Sequence, residues 1–459
     1  MDSAAPTSPP AEAPPPATLS SLLKLAFPIV ISRAAQTVDG FADALMVAHL
    51  GATALAATAT GGLNTFTVMI LPMGITFIVS SFSSQLFGKG DLAGARRYGW
   101  YGLVIAAITM VLCLIAIPFV DSALSTLHYT DELHTLMGTY IRIRLLSGGA
   151  AIGVEALGNY FGGLGRTWPA SIANASAMVI NIIANWVLID GHLGVPAMGV
   201  AGAAWSSVIA SWFAFAGLFT WFVLDGKTVQ KTRLRLNEFG RMLRFGLPSG
   251  FNWLMEFGAF IFFANVVVVG LGTAALAAMN SVITLNSVAF MPAFGLASAG
   301  AILVGQAIGA NRKDEVPRVV RLTATATVTW QGAVGILCLL APALLIAPFA
   351  RGQGGPEVAE IGARMLMVSA AWQLFDAIAM AVAEALRSAG DTFFPMMARI
   401  AIAWLVFVPG SYITVTHYGW GDVGAIGWLV LYLVLLAIAV SLRFRSGAWR
   451  NMQLIEPTA

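Results

Sequence analysis

The stretch LAFPIVISRAAQTVDGFADALMVAHLG (25–51) begins a sequence pattern that returns in the second half of the chain. Its proline has a counterpart 220 residues later, and two further motifs, Gln-x-x-Gly and Gly-x-Thr, recur in the same order. The paired positions are Pro28 and Pro248, Gln85 and Gln306, and Gly165 and Gly390. The nearly constant spacing predicts two structurally related halves.

The composition is that of an integral membrane protein. Of 459 residues, 58% are hydrophobic and 10% are charged, whereas a soluble domain is about 25% charged. A membrane-spanning helix needs about 20 apolar residues. We therefore predict an all-α integral membrane fold with about twelve transmembrane helices in two six-helix bundles, which are parallel because each half has an even number of spans. The predicted spans are 18–48, 52–86, 93–119, 133–158, 168–190, 198–225, 241–271, 274–308, 316–350, 358–387, 392–416 and 421–445.

Five segments follow from this pattern. Residues 1–17 form a tail rich in Pro and Ala that is expected to be disordered. An N-terminal lobe (18–225) and a C-terminal lobe (241–446) are joined by a basic cytoplasmic linker (226–240), and residues 447–459 form a cytoplasmic tail.

The distribution of Lys and Arg predicts the orientation. With the N-terminus inside, four of the 25 cations fall on the outer side, namely Arg142, Arg144, Arg351 and Arg364. Arg33 and Arg399 fall within or at the start of spans, and the other 19 lie on the inner side. Because cytoplasmic loops carry the excess of Lys and Arg, we expect a multi-pass protein of the cell inner (plasma) membrane with both termini cytoplasmic.

Acidic residues occur inside the first predicted span. Gln36, Asp39 and Asp43 are three, four and seven residues apart, so they share one stripe of a helix. An ionised Asp at the bilayer centre costs about 2.5–3.5 kcal/mol, and such residues by default mark an ion or substrate pathway. Solvation at the outer interface is the alternative for Asp43, and a structural role is the alternative for Asp39.

The fifth predicted span supplies two amides on one helix face. Asn181 and Asn185 are four residues apart. Their side chains can offer carbonyl oxygens to a cation or donate to a carboxyl group. Hydrogen bonding between helices is the other interpretation, and one residue can serve both purposes.

The second half carries its own intramembrane acids. Asn252 and Glu256 are four apart in the seventh span, and Trp372 and Asp376 are four apart in the tenth. No basic residue lies near Glu256 in the sequence, and the spans of this half contain few cations, so we expect neither acid to pair with a buried cation. We therefore interpret both acids as part of a cation pathway.

Other polar residues have a structural interpretation. Glu384 lies three residues before Arg387, which predicts a local ion pair, and Glu155 is expected to be structural. Cys113 and Cys338 lie in apolar runs and are expected to be packed thiols. Phenylalanine, tryptophan and methionine in several spans would suit an adaptable pocket for bulky cations.

The sequence argues against an enzyme. It has no P-loop motif, no metal-ligand cluster and only five scattered histidines, so no catalytic residues and no bound cofactor are expected. The only metal site that we expect is one for Na⁺. A channel is harder to exclude, although acids in two repeated lobes suit a transporter better.

The chain resembles the multidrug and toxic compound extrusion (MATE) family and its NorM-like branch, over about residues 20–445. The similarity rests on the first span quoted above and on five further motifs: SSQLFGKGD (83–91), NIIANWVLI (181–189), LMEFGAF (254–260), VGQAIGAN (304–311) and WQLFDAIAMAVAEALRSAGDT (372–392). In this resemblance Asp43, Glu256 and Asp376 occupy the acidic positions of the family. Trp372 stands where NorM-like members can have Tyr, and Asp39 is an additional acid.

The resemblance implies a transporter that exports hydrophobic or cationic drugs in exchange for Na⁺ or H⁺ by alternating access. Glu256, Asp376 and Asp43 would bind the coupling cation, with support from Gln36, Asp39, Asn181, Asn185, Asn252 and Trp372. The partners would be the drug and the lipid bilayer, without nucleic acid, and the protein would be a monomer. The alternatives are a major-facilitator-type transporter and a lipid-linked oligosaccharide flippase of the same superfamily. Flippases tend to line the cavity with cations, whereas the cavity candidates here are acids.

Overall fold

The structure, a computed structural model, describes residues 18–125, 129–226, 233–350 and 355–455. The predicted tail 1–17 lies outside these residues, as do the cations Lys227, Lys231 and Arg351. The described residues are almost entirely helical. The α-helices are α1 (Leu19–Ala48), α2 (Ala52–Gly88), α3 (Leu92–Ala116), α4 (Val120–Leu124), α5 (Asp131–Leu145), α6 (Gly148–Gly163), α7 (Trp168–Asp190), α8 (Val200–Asp225), α9 (Leu236–Phe262), α10 (Thr273–Gly309), α11 (Val316–Leu340), α12 (Pro342–Ile346), α13 (Gly355–Ala389), α14 (Phe393–Ala401), α15 (Val408–Thr416) and α16 (Gly421–Arg445).

These helices form the twelve long helical segments that the sequence predicts. We call each segment a rod, because some consist of two or more consecutive helices. Ten helical stretches in the described residues are long and apolar enough to span a membrane. The other two rods are α1, which carries charges such as Arg33 and Asp43, and the consecutive helices α5 and α6, which are interrupted at Leu146 and Ser147. The charges and the interruption explain why apolar length alone misses these two rods.

The two halves exchange the first turns of their leading helices. Leu22 and Leu25 of α1 belong to the apolar core of the second half, while Met242 of α9 belongs to the core of the first half. The start of each leading helix therefore packs on the core of the other half. This exchange fixes each leading helix between both halves.

The repeated Gln-x-x-Gly motifs meet at one end of the molecule, here called the crossing end (Gln85, Gly88, Gln306 and Gly309). The 37-residue helices α2 and α10 both end there. A Cβ atom on Gly88 would overlap the carbonyl oxygen of Gln306, and one on Gly309 would overlap that of Gln85. Glycine is therefore required for this reciprocal backbone approach.

The glutamines of the same motifs join the halves. Gln85 Nε2 donates to the carbonyl oxygen of Ser388 at 2.7 Å, and Gln306 Nε2 donates to that of Gly163 at 3.1 Å. Each acceptor lies two residues before the glycine of a repeated Gly-x-Thr motif, at Gly165 or Gly390. The motifs that defined the repeat in the sequence thus form one reciprocal contact between the halves.

Two rods of the second half contain π-helical segments. One, Phe263–Val268, follows α9, and the other, Ile402–Phe407, joins α14 to α15. The rings of Phe263 and Phe407 lie 5.0 Å apart, so the two segments pack together. Such π segments often occur at functional sites.

Two structural expectations are confirmed. Cys113 and Cys338 are buried free thiols, and Glu384 forms an ion pair with Arg387. Arg387 also donates to the carbonyl oxygen of Phe77 at 2.9 Å and to Ser81 Oγ at 3.0 Å, so this local pair joins the two halves.

Candidate functional site

A cavity of about 370 Å³ lies between the halves, next to the crossing end. We call it the central cavity; α1, α2, α9, α10, α13, α14 and α16 line it. Its apolar wall includes Phe66, Trp253, Phe290, Met291 and Phe294, which are among the aromatic and methionine residues expected in an adaptable pocket. Its polar wall contains most of the site residues predicted in the second half.

The predicted residues of the first half form a separate polar cluster. Asn185 Nδ2 donates to Asp43 Oδ1 at 2.5 Å and to Asn181 Oδ1 at 2.6 Å, and Asn181 donates to Ser207 Oγ at 3.3 Å. Both asparagines are buried, as their spacing on one helix face requires if that face packs on α1. The structure therefore brings Asp43, Asn181 and Asn185 together, and adds Ser207.

Asp39 and Arg144 belong to the same cluster. Both lie close enough to Asp43 for their charges to interact with its carboxylate. Asp39 Oδ1 and Arg144 Nε are buried, and neither has a hydrogen-bond partner among the described residues. The distribution of cations predicts Arg144 only as a residue of the outer side, and does not predict that it lies beside Asp39 and Asp43.

Gln36 and Asn252 face the central cavity instead. Gln36 accepts a hydrogen bond from Arg33 Nη1 at 2.9 Å. Asn252 Oδ1 is buried without a hydrogen-bond partner among the described residues. The predicted stripe of α1 is therefore divided between two sites. Gln36 faces the central cavity, whereas Asp43 faces α7 and belongs to the polar cluster of the first half.

Glu256 is paired with a buried cation, contrary to expectation. Its carboxylate forms an ion pair with the guanidinium of Arg399, 143 residues later in the chain. The Glu256 side chain is 44% exposed in the central cavity, whereas that of Arg399 is 14% exposed. The expectation of an unpaired Glu256 is wrong because α14 places its intramembrane arginine beside α9.

Asp376 lies between the central cavity and a second, smaller space. Asp376 Oδ2 accepts a hydrogen bond from Gln331 Nε2 at 3.0 Å, and the carboxylate has no ion pair within the described ranges. The smaller space, the lobe chamber of about 290 Å³, is lined by Asn286, Gln331, Trp372, Gln373, Asp376 and Tyr432. Trp372 thus lies in the lobe chamber and not on the wall of the central cavity.

Amide groups in the lobe chamber offer acceptors next to Asp376. Gln331 and Gln373 are both 1% exposed, and Gln373 Nε2 donates to Asn286 Oδ1 at 2.6 Å. The Oε1 atoms of both glutamines are buried without a partner in the part of the chain that the structure describes. The sequence signal for these two glutamines is that each is an uncharged polar residue within an apolar run.

The central cavity also contains arginines, which were not among the residues predicted for it. Arg33 and Arg387 line it together with Arg399. Arg33 forms an ion pair with Glu155 at 3.1 Å and lies over the ring of Phe294 in the other half, 5.4 Å from its centroid. Because each of the three arginines has an acidic partner, Asp376 is the wall's carboxylate with no ion pair among the described residues.

The two halves of the sequence match one family model. The MatE model aligns with residues 28–187 and again with 248–413, so its two matches begin at the repeated prolines. The chain belongs to the MatE family. This result excludes the major-facilitator alternative.

Curated relatives of this MatE chain are multidrug resistance proteins. A probable multidrug resistance protein NorM of Thermotoga maritima is 25% identical over 447 residues, which cover 96% of this chain and 95% of the relative. The multidrug resistance protein PmpM of Pseudomonas aeruginosa is 28% identical over 460 residues, covering 96% and 94%. This chain is thus a multi-pass membrane protein of the MatE family, and it is similar along nearly its whole length to proteins named for multidrug resistance.

Solved MATE structures share the fold. An outward-facing multidrug resistance MATE transporter of the MOP superfamily matches with a TM-score of 0.83 and 21% identity, covering 94% of this chain and 96% of that one. A MOP superfamily transporter from Pyrococcus furiosus, whose binding pocket is described as having reverse polarity, matches with a TM-score of 0.85 and 21% identity over the same shares. At this identity the likeness shows the fold alone.

Proposed function

We propose that this MatE protein exports hydrophobic or cationic compounds across the cell inner membrane in exchange for Na⁺ or H⁺. The observation that carries the proposal is Asp376, a carboxylate without an ion pair in the described residues, on the wall of a cavity rich in aromatic residues and methionine. Aromatic rings attract organic cations and a carboxylate supplies the opposite charge. Because the wall arginines are already paired with acids, the cavity has no excess positive charge to favour an anionic lipid headgroup.

Two places are assigned to the coupling cation. In the first half, Asp43 binds it with Asn181 and Asn185, and Asp39 adds charge nearby. In the second half, Asp376 binds it, and the free acceptors of Gln331 and Gln373 support this assignment. Glu256 contributes charge, while Gln36, Asn252 and Trp372 line the adjoining spaces.

Transport by alternating access requires the crossing end to open and close. We place this end in the cytoplasm because the excess of Lys and Arg lies there. Leu25 of α1 lies near Gly165 at this end, and Leu454, close to the last described residue, packs against Gly390. In the proposed cycle the bonds of Gln85 and Gln306 to the opposite half break when the cavity opens inward.

The gradient supplies enough free energy for such exchange. One unit charge that moves inward at 100 mV releases about 2.3 kcal/mol, which corresponds to roughly a 50-fold concentration ratio. A single coupling cation per cycle therefore suffices for useful accumulation of an uncharged compound. One-for-one exchange of a monovalent cationic compound moves no net charge, so it draws only on the chemical gradient of the coupling cation.

The test is uptake of a fluorescent organic cation into proteoliposomes or everted vesicles. One arm imposes a Na⁺ gradient at equal pH, and the other imposes a pH gradient without Na⁺. We expect one gradient to drive uptake in wild type, and Asp376→Asn to abolish it without reducing the amount of inserted protein. Asp314→Asn is the matched control, because Asp314 is exposed, pairs with Arg450 and does not line the cavity. Failure of both gradients in the wild-type protein would refute the proposed exchange.

A further inference from the structure

Arg399 is an arginine of the central cavity whose neighbours on the wall include two acids. Its guanidinium forms an ion pair with Glu256 on the wall of the central cavity, which Asp376 also lines. Its Nε atom is buried without a hydrogen-bond partner among the described residues. The guanidinium is thus held in the cluster without all its donors being satisfied.

The charges of this cluster leave room for one mobile cation. Glu256 and Asp376 carry two negative charges and Arg399 carries one positive charge, so the formal net charge is −1. Adding one monovalent cation neutralises the cluster. A second cation would leave uncompensated positive charge in an apolar setting, which is costly.

We propose that Arg399 is a tethered cation that exchanges between Glu256 and Asp376 and thereby makes cargo and coupling cation compete for one vacancy. When cationic cargo binds Glu256, Arg399 pairs with Asp376 and the coupling cation leaves. When the coupling cation binds Asp376, Arg399 returns to Glu256 and the cargo leaves. This inference rests on the proposed exchange function and assigns to one residue the step that makes exchange obligatory.

The surrounding helices provide a means for the guanidinium to move. A π-helical segment, Ile402–Phe407, starts three residues after Arg399, and another, Phe263–Val268, starts seven residues after Glu256. An inserted π turn rotates the residues on its two sides relative to each other, and such turns are frequent at functional sites. The two segments pack on one another, so a shift in one is transmitted to the other.

The experiment measures equilibrium binding of ethidium to the purified full-length protein, by fluorescence polarisation at several Na⁺ concentrations and pH values. In wild type we expect the Kd for ethidium to rise as the coupling cation is added. Arg399→Gln leaves a net charge of −2, so we expect ethidium to bind about tenfold more tightly and the competition to weaken, because both cations now fit.

A double-mutant cycle makes the result independent of folding losses in one variant. Glu256→Gln leaves one acid already matched by Arg399, so we expect ethidium binding to weaken about tenfold. Adding Arg399→Gln to that variant leaves Asp376 without a cation and returns the net charge of the cluster to −1. We therefore expect ethidium to bind tightly again and to compete with the coupling cation, even though a second charge has been removed. Arg364→Gln is the matched control, since Arg364 pairs with Asp422 away from the cavity.

The outcomes separate the two proposals. If E256Q/R399Q binds ethidium no more tightly than E256Q, or if R399Q keeps wild-type affinity and full competition, the role of Arg399 is refuted. If the wild-type protein binds no organic cation, the export proposal itself fails.

Discussion

Replacing Gly88 with alanine adds a methyl group where the two halves approach most closely. The new Cβ atom would overlap the carbonyl oxygen of Gln306, a backbone atom that cannot move aside by changing rotamer. Overpacking of this kind costs about 1–3 kcal/mol, and the cost applies to the conformation in which the crossing end is closed. A penalty of about 2 kcal/mol changes a conformational ratio roughly 30-fold. A closed-to-open ratio of about 99:1 would fall to about 3:1.

The population can be measured by the distance between two spin labels at the crossing end. Leu92 in the first half and Arg318 in the second are exposed sites for labelling, and both native cysteines are buried. We expect a second, longer distance in Gly88→Ala, with a further increase when Gly309→Ala is added.

Gly62→Ala is the matched control for this experiment. Gly62 lies in the same helix, and a Cβ atom there meets nothing within 4 Å. An unchanged distance distribution in folded Gly88→Ala would show that the contact does not hold the closed state. An equal shift in the control would show that any glycine replacement in α2 has this effect.

Three further predictions test separate contacts. Arg33→Gln should lower the free energy of unfolding by about 3 kcal/mol, because it leaves the Glu155 carboxylate, whose side chain is only 11% exposed, without its cation. Adding Glu155→Gln should recover most of the melting temperature, and no recovery would contradict the assigned pair. Leu454→Ala should lower the free energy of unfolding by about 2–3 kcal/mol, because the Leu454 side chain is 1% exposed. Leu442→Ala is the control and should change the melting temperature little, because Leu442 is 61% exposed. Equal effects of the two substitutions would argue against a packed C-terminal segment. Asp43→Asn should abolish gradient-driven dye uptake at normal membrane content, and retained uptake would remove Asp43 from the coupling site.

Sequence spacing predicted those contacts that are local or that repeat. The four-residue separation of Asn181 and Asn185 gave their common face, and the three-residue separation of Glu384 and Arg387 gave their ion pair. The repeated motif at Gln85 indicated that two related segments exist. It did not indicate that these segments touch, because the reciprocal approach depends on how the halves pack.

Contacts between distant helices could not be predicted in this way. Glu256 and Arg399 are far apart in the chain, and only the packing of α14 on α9 makes them partners. An arginine within a predicted span was nevertheless a signal, because a cation at that depth needs an acid. The amides of Gln331 and Gln373 gave a weaker signal, since polar groups between membrane helices commonly serve packing alone.

Although the scaffold is duplicated, the charged residues of the two halves occupy positions that do not correspond. Phe263 lies 220 residues after Asp43, so the repeat replaces that acid with a buried ring. Even so, Asp39, Asp43 and Arg144 carry the same formal charge of −1 as the trio of the second half.

The two arginines reach these clusters from helices that are not equivalent. Arg144 lies in the last turn of α5, in the fourth rod of its half, whereas Arg399 lies on α14, in the fifth rod of the other half. Each half therefore contains two acids and one arginine with a formal charge of −1, in a different geometry. One mobile cation would neutralise each cluster. It follows that exchanging residues between equivalent repeat positions should not transfer coupling from one half to the other, whereas restoring the charge of a cluster in place should restore it.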